Sequence, residues 1–343
     1  MDDALRRAVI LIPAYKPDQR LVELTRELKE KEFRVLLVDD GGKDAYREIF
    51  ESCRALGAEI AVHAVNQGKG RALKTGLNQA LLLWPDLSCV VTADSDGQHT
   101  VEDISRVATE SLSRPDTLVL GSRRFTGDVP FKSRWGNRIT RWVYKLASGT
   151  AIWDTQTGLR AIPPKAVEDM VGIEGERYEY EMNVLLRLRD MGLDVYEVPI
   201  ETIYINDNEG SHFNPVKDAI RIYMVIFRYL FSSIASFVVD YVLYWLLLGF
   251  GMLPVIAYLL ARLVSSQVNY RLNRYTVFSG RGGKYAMAKY YALAAVQGAI
   301  GAGLVQFLPT VLPVSPSVIK IPVDIILFII SFIIQRDFVF NKK

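Results

Sequence analysis

The feature that most restricts this chain is a series of four long apolar stretches in its last third. Each is close to the ~20 residues that a helix needs to cross the hydrocarbon core of a bilayer. Long segments within them lack the regularly spaced polar positions of a helix on the surface of a soluble protein. We therefore predict four transmembrane helices rather than a soluble bundle. The predicted spans are residues 225–249, 254–273, 286–310 and 317–335.

Charge divides the chain in the same way. Residues 225–343 hold 11 of the 41 Lys and Arg residues but only 3 of the 38 Asp and Glu residues. The preceding part is richly charged and slightly acidic, which is typical of a soluble domain. The net charge of +3 is the sum of a slightly acidic first part and a basic second part, so it does not indicate a nucleic-acid partner. The predicted domains are a soluble domain (1–213), an amphipathic interfacial helix (214–227) and a membrane domain (228–343).

The distribution of positive charge predicts the topology. Basic residues lie in the 274–289 loop and at the C-terminus, whereas the loops at 249–254 and 309–317 carry no charge. Positive loops stay on the cytoplasmic side of a membrane. The segment before the first strand lacks the apolar stretch of a signal peptide. We expect a multi-pass protein of the plasma membrane whose soluble domain and both termini are cytoplasmic.

Two further features mark the membrane domain. A weak repeat relates Asn273–Phe278 to Gln335–Phe340 at an offset of 62 residues, as two helical hairpins of the same topology would produce. Asp240, Arg262 and Asp324 fall at or near membrane depth, where an ionisable group is costly. They either pair with one another for helix packing or line a path for a lipid or a sugar.

The first 213 residues alternate between short apolar runs and segments with helical spacing. Strands that are apolar throughout and are separated by helices indicate a mostly parallel, Rossmann-like α/β sheet covered on both faces. Ligands of such sheets bind beyond the carboxyl ends of the strands. The polar clusters of this domain fall at those strand ends, so we predict the functional site there.

Asp94 and Asp96 form the central cluster, directly after the apolar run Ser88–Thr92. Two carboxylates one residue apart, with the amide oxygen of Gln98, are suited to Mg²⁺ or Mn²⁺. The alternative is a solvated turn in which Asp96 or Thr100 caps the next helix.

Seven ordered motifs resemble the family 2 glycosyltransferases, in the branch of dolichyl-phosphate mannose synthase and bacterial polyprenyl-phosphate glycosyltransferases. The motifs, which cover roughly residues 8–225, begin at Ile12, Val38, Asn66, Asp94, Gly121, Ser133 and Asp154. The four-span block resembles the GtrA-like membrane family. The resemblance implies a glycosyltransferase A-type fold and metal-dependent, inverting transfer of a sugar from a UDP- or GDP-linked donor to a polyprenyl phosphate, undecaprenyl or dolichyl.

The resemblance also implies the donor site. Asp94, Asp96 and Gln98 would hold the metal at the donor diphosphate, and Asp18 would replace a carboxylate that many relatives carry one position earlier. Lys69 either meets a phosphate or is an exposed lysine at a helix start, and Asp39 and Asp40 either contact the nucleoside or only form a turn. The residues assigned to the nucleotide sugar are Pro13, Ala14, Tyr15, Asp18, Asp39, Asp40, Lys69, Asp94, Ser95, Ser211 and His212.

The acceptor phosphate is assigned to a basic segment that follows the Gly121 motif. Arginine can donate two hydrogen bonds to one phosphate, and the same charge also suits anionic headgroups. The assigned residues are Arg123, Ser133, Arg134 and Arg138. Asp96, Asp154 and Arg123 are the predicted catalytic residues. Glu179 and Glu181 are further candidates, or else part of a charged helix face.

The sequence leaves two other functions open. A processive polysaccharide synthase resembles the same fold, but the Gln-x-x-Arg-Trp motif of such enzymes is absent: Phe131 and Arg138 stand where its glutamine would be. A lipid-sugar flippase or scaffold with a vestigial transferase domain is the other alternative. The expected partners are the nucleotide sugar, the polyprenyl phosphate and the bilayer, and a homo-oligomer is compatible with the sequence.

Overall fold

The structure is a computed structural model that describes residues 3–123, 144–146, 148–201, 215–278, 282–311 and 316–340. The chain forms two compact units, Met1–Ile222 and Tyr223–Lys343.

The first unit is built on a seven-stranded sheet, and the predicted, mostly parallel α/β architecture is confirmed. Its strands lie in the order β3-β2-β1-β4-β6-β5-β7, and β6 alone runs antiparallel to its neighbours among the described strands. The strands are β1 (Val9–Ala14), β2 (Arg34–Asp39), β3 (Glu59–Val62), β4 (Val90–Thr92), β5 (Thr117–Arg123), β6 (Arg160–Ile162) and β7 (Asp194–Ile200).

Helices follow the strands as the helical spacing predicts. The apolar side chains of α2, α3 and α5 pack with the buried strands in one hydrophobic core. Thr100 caps α5 by accepting a hydrogen bond from Asp103 N at 3.1 Å, so of the two capping candidates the structure selects Thr100. The helices are α1 (Asp3–Arg6), α2 (Gln19–Glu30), α3 (Arg47–Ala55), α4 (Lys69–Leu83), α5 (Val101–Leu112), α6 (Pro164–Val171) and α7 (Glu179–Arg187).

The first strand contains a proline, a residue that is rare inside a sheet. β1 continues through Pro13 to Ala14 and pairs with β2 over its whole length. Leu11 O accepts a hydrogen bond from Ala93 N, which lies just past the end of β4. The backbone nitrogen of Pro13, two residues after Leu11, points to the same side of β1, but at a level beyond the end of β4. The missing N–H of Pro13 therefore interrupts no ladder there.

The second unit contains four long helices in the segments predicted to span the membrane. They are α8 (Pro215–Gly249, which belongs to this unit from Tyr223 onward), α9 (Pro254–Leu272), α10 (Ala286–Val311) and α11 (Pro316–Ile334). Within the described part of the chain, one segment, Phe227–Gly249, is both long and apolar enough to cross a membrane. The other three spans stay predictions. The predicted interfacial segment is continuous in helix with this span from Pro215 onward.

The repeat seen in the sequence has a structural counterpart. Helices α9 and α11 each end in a π-helical turn, Asn273–Val277 and Gln335–Val339. Equivalent aromatic pairs recur: Phe278 against Phe332 and Phe340 against Tyr270, both with ring centroids 5.8 Å apart. The two halves meet where Asn273 Nδ2 donates to Gln335 Oε1 at 3.0 Å. The second unit is therefore a pair of similar helical hairpins joined at their π-helical ends.

Replacing Asn273 by leucine is expected to destabilise this junction. Asn273 is fully buried and bonded to Ser232 and Gln335, which would lose their partner. Hydrogen bonds between membrane helices contribute about 1–2 kcal/mol at most, so the melting temperature in detergent should fall by about 3–6 °C. Thr310→Val is the matched control, because Thr310 is exposed and bonds within its own helix. An equal effect of both substitutions would contradict this prediction.

Candidate active site

The turn that carries Asp94 and Asp96 follows the shortest parallel strand of the sheet. Thr92 ends β4, and its hydroxyl donates to Gly158 O at 2.7 Å. Asp96 Oδ1 accepts a hydrogen bond from Gln98 N at 3.0 Å, which closes a tight turn around Gly97 at φ 80°. The turn thus lies at the carboxyl edge of the sheet, as the sequence predicts.

Asp94 lies at the centre of a charged cluster. Lys69 Nζ is 2.7 Å from Asp94 Oδ1 and 3.0 Å from Glu181 Oε2, and His99 Nε2 is 3.5 Å from Asp94 Oδ2. Burial would raise the pKa of Asp94, but the charge of Lys69 and the contact with His99 outweigh it and lower that pKa well below its ordinary value. Burial would likewise lower the pKa of Lys69, but Asp94 and Glu181 raise it. Both groups are therefore charged at neutral pH.

Of the two alternatives raised by the sequence for Lys69, the exposed lysine is wrong. Its side chain is 19% exposed and bridges two carboxylates. Its contact with a donor phosphate stays a prediction. Two glycines beside Lys69 allow a close backbone approach. A Cβ on Gly68 would lie 2.5 Å from Glu176 O, and one on Gly70 would lie 2.5 Å from Tyr180 Cβ. These glycines let the 176–180 segment approach the start of α4.

Asp96 has a different environment from Asp94. Burial and then the charge of Asp94 raise the pKa of Asp96. Two neighbouring carboxylates with excess negative charge are what a divalent cation neutralises, and the amide of Gln98 follows in the same turn. Among the described residues, no group of three or more His, Cys, Asp and Glu side chains has the arrangement of a metal site. The oxygen donors of this turn, with substrate phosphates, nevertheless match the preference of Mg²⁺ and Mn²⁺.

A second cluster joins Arg123, at the end of β5, to Asp154. Arg123 Nε donates to Asp154 Oδ2 at 2.7 Å, and the Asp154 carboxylate is 1% exposed. Asp154 Oδ1 also accepts from Gln156 N at 3.1 Å. Glu197 of β7 accepts hydrogen bonds from Ser122 Oγ at 2.7 Å and Trp153 N at 2.9 Å. The structure therefore brings two of the three predicted catalytic residues into direct contact, and Glu197 is a residue that the sequence motifs did not reveal.

Gly158 connects the two clusters. It belongs to the same loop as Asp154, and a Cβ at this position would lie 2.3 Å from Asp94 Oδ2. This contact requires glycine, because any larger residue would collide with the carboxylate.

Replacing Gly158 by alanine is expected to displace Asp94 and to reduce activity about 100-fold, since small misplacements of catalytic groups are costly. Gly172→Ala is the control, because its added Cβ would meet Asp169 O at an ordinary 3.5 Å. Initial rates of both variants, with melting curves, test this. Full activity of Gly158→Ala would show that the Asp94 position is unimportant.

The two carboxylates at the end of β2, Asp39 and Asp40, form different hydrogen bonds. Asp40 is 2% exposed and accepts hydrogen bonds from His63 Nδ1, Asn66 Nδ2 and the backbone of the 67–68 turn, all at 2.8–3.0 Å. Asp39 Oδ1 accepts from Gly42 N at 2.7 Å. Asp40 thus holds the turn before α4, and Asp39 holds the turn at Gly42.

Four more of the residues predicted to bind the nucleotide sugar lie around the end of β1. Pro13 and Ala14 are buried strand residues, whereas Tyr15 is 44% exposed with the Lys16 ammonium 5.2 Å from its ring centroid. Asp18 caps α2 by accepting from Arg20 N and forms a salt bridge with the Arg20 side chain at 2.5 Å. Ser95 lies within the Asp94–Asp96 turn. Five predicted site residues lie outside the described residues: Ser133, Arg134, Arg138, Ser211 and His212.

Comparisons with known proteins identify both parts of the chain. The model of the family "Glycosyl transferase family 2" matches residues 9–167. The model "GtrA/DPMS, transmembrane domain" matches residues 228–340.

The chain is similar to three relatives over part of its length. An uncharacterized protein of Methanocaldococcus jannaschii is 31% identical over 201 residues, which cover 57% of this chain and 81% of that protein. A UDP-N-acetylglucosamine–dolichyl-phosphate N-acetylglucosaminyltransferase of Methanococcus voltae is 29% identical, over 57% of this chain and 85% of its own. The polyprenol monophosphomannose synthase of Mycolicibacterium smegmatis is 25% identical, over 57% and 77%.

These matches agree with the strand-end turns, the mostly parallel sheet and the helical second unit. The chain is a glycosyltransferase of family 2 that carries a GtrA/DPMS transmembrane domain.

Proposed function

We propose that this protein transfers one sugar from a UDP- or GDP-linked donor to a polyprenyl phosphate, on the cytoplasmic face of the membrane. One observation carries the proposal: Gly158 joins the Asp94 cluster to the loop of Asp154, so two charged centres share one edge of the sheet. Similarity to a dolichyl-phosphate N-acetylglucosaminyltransferase and to a polyprenol monophosphomannose synthase supports this acceptor class.

The donor binds along the ends of β1, β2 and β4 in this proposal. Tyr15 and Asp39 contact the nucleoside, and Asp40 fixes the turn beside it. Asp94, Asp96 and Gln98 would hold Mg²⁺ or Mn²⁺, which when bound neutralises the charge that develops on the leaving diphosphate. Lys69 holds Asp94 in its ionised form and in place.

The acceptor phosphate binds beside Arg123. Ser133, Arg134 and Arg138 donate further hydrogen bonds to it in this proposal. A phosphate monoester loses its second proton near pH ~6, so the acceptor is a nucleophile at neutral pH without a strong general base. Asp154 therefore orients Arg123 and the acceptor rather than removing a proton. Attack of the phosphate oxygen on the anomeric carbon, with departure of the nucleoside diphosphate, inverts the configuration in one displacement.

The membrane domain keeps the lipid acceptor near the site. Its four helices span the plasma membrane with both termini cytoplasmic, as the positive charge at 274–289 and at the C-terminus supports. The long isoprenoid stays in the bilayer, while its phosphate reaches the site at headgroup level.

A donor panel tests this proposal. Purified protein in detergent is incubated with undecaprenyl or dolichyl phosphate and labelled UDP- and GDP-sugars, with Mn²⁺, Mg²⁺ or EDTA. Label should move from one donor into an organic-phase lipid, and EDTA should abolish the transfer. Label in a polymer would instead favour a processive synthase. No transfer from any donor by folded protein that binds the lipid would reject the proposal in favour of a lipid-handling role.

A further inference from the structure

Glu197 lies on β7, beyond the residues 9–167 that the family 2 model matches and outside the motifs of the sequence analysis. Its carboxylate accepts hydrogen bonds from the Ser122 hydroxyl at 2.7 Å, from Trp153 N at 2.9 and 3.0 Å, and from Asp154 N at 3.2 Å. One side chain thus binds both the strand end that precedes Arg123 and the backbone of Asp154.

The sheet explains how one carboxylate reaches both segments. β7 pairs in parallel with β5, and Glu197 lies opposite Leu120, two residues before Ser122. Hydrogen bonds to an ionised acceptor are stronger than neutral ones. Glu197 therefore ties the last residues of β5 to the 153–154 loop.

Hydrogen bonds to Glu197 add to the packing of this loop. Ile152 and Asp154 are 2% and 1% exposed, and Trp153 between them is 65% exposed. The backbone N–H groups of Trp153 and Asp154 both donate to Glu197. That carboxylate therefore binds the backbone of the loop from which Asp154 pairs with Arg123.

We propose that Glu197 is a positioning residue for the acceptor half of the reaction: it sets Arg123 and Asp154 in the arrangement that receives the polyprenyl phosphate. This inference rests on the proposed function. Its direct contacts involve the acceptor cluster and none of the groups around Asp94, so its effect falls mainly on the acceptor. A side chain needed only for folding would not discriminate between the two substrates.

The test compares Glu197→Ala and Glu197→Gln with Glu59→Ala, a control on an exposed position of the opposite edge strand. KM is measured separately for polyprenyl phosphate and for the nucleotide sugar, with melting temperatures. Glu197→Ala should raise the acceptor KM or lower kcat/KM for the acceptor 10- to 100-fold, and leave the donor KM within about twofold. Glu197→Gln, which retains an acceptor oxygen, should recover part of the loss.

Equal effects on both substrates, or a loss that only follows the melting temperature, would overturn the positioning role. An unchanged acceptor KM in Glu197→Ala, with active wild-type protein, would overturn it while leaving the proposed function intact. Wild-type protein that transfers no sugar to polyprenyl phosphate would overturn both.

Discussion

Replacing Asp96 by asparagine is expected to reduce sugar transfer by about 10³-fold. In our proposal Asp96 is the carboxylate that supplies negative charge to the metal at the donor diphosphate, and its pKa is raised because burial and Asp94 disfavour its ionised form. Removing one electrostatic group that acts on the developing charge costs about 10²–10³ in rate, and loss of metal affinity adds to this. The amide keeps the shape of the turn, including an acceptor for Gln98 N.

The measurement is the initial rate of label transfer over a range of Mn²⁺ concentrations. Asp86→Asn is the control, since Asp86 is an exposed carboxylate paired with Arg34. The control should keep wild-type activity and metal response. An Asp96→Asn variant with an unchanged rate and unchanged metal dependence would remove Asp96 from the site.

Asp154→Asn carries the second large expected effect, a loss of about 100- to 1,000-fold. Asp154 is buried and forms an ion pair with Arg123, so its replacement by a neutral amide removes the charge that this pair places beside the arginine. The amide can still accept a hydrogen bond from Gln156 N, which limits the change in the loop itself. We expect the acceptor KM to rise along with the fall in kcat.

A double-mutant cycle makes this prediction sharper. If Arg123 and Asp154 act as one unit, the transfer rate of the double variant Arg123→Gln, Asp154→Asn should be close to that of the less active single variant. Asp116→Asn is the control, because Asp116 forms an exposed ion pair with Lys165. Independent, additive losses would show that the two residues serve separate steps.

The sequence predicted the architecture of the first unit because its strands are buried on both faces. β1, β4 and β5 are apolar runs between helices, which is typical of a parallel sheet. It could not place β6, a three-residue antiparallel strand, because so short a segment has no periodicity of its own. Nor did it predict that Pro13 lies inside β1, since this depends on where β4 ends.

The sequence predicted at which strand ends the site residues lie, but not which residues they contact. That Asp94 follows a buried strand could be deduced locally. That Lys69 bridges Asp94 and Glu181 could not, because these residues lie far apart in sequence and meet only in the folded sheet. Glu197 was missed for the same reason: a single carboxylate in a strand gives no signal until its neighbours are known.

The second unit shows the same limits. Apolar length located its four helices to within a few residues, apart from α8, whose described helix starts at Pro215. The weak repeat at Asn273 and Gln335 indicated two related hairpins, but the hydrogen bond between these residues is a tertiary contact that the pattern alone does not contain.

The most direct test of the account is the identity of both products of one reaction. Purified protein, polyprenyl phosphate and the active nucleotide sugar are incubated, and the lipid and the nucleotide are identified by mass. We predict a lipid heavier than the acceptor by one dehydrated sugar, with one nucleoside diphosphate released for each lipid formed. Release of nucleoside monophosphate with a lipid diphosphate, or a lipid carrying several sugars, would contradict the single transfer proposed here.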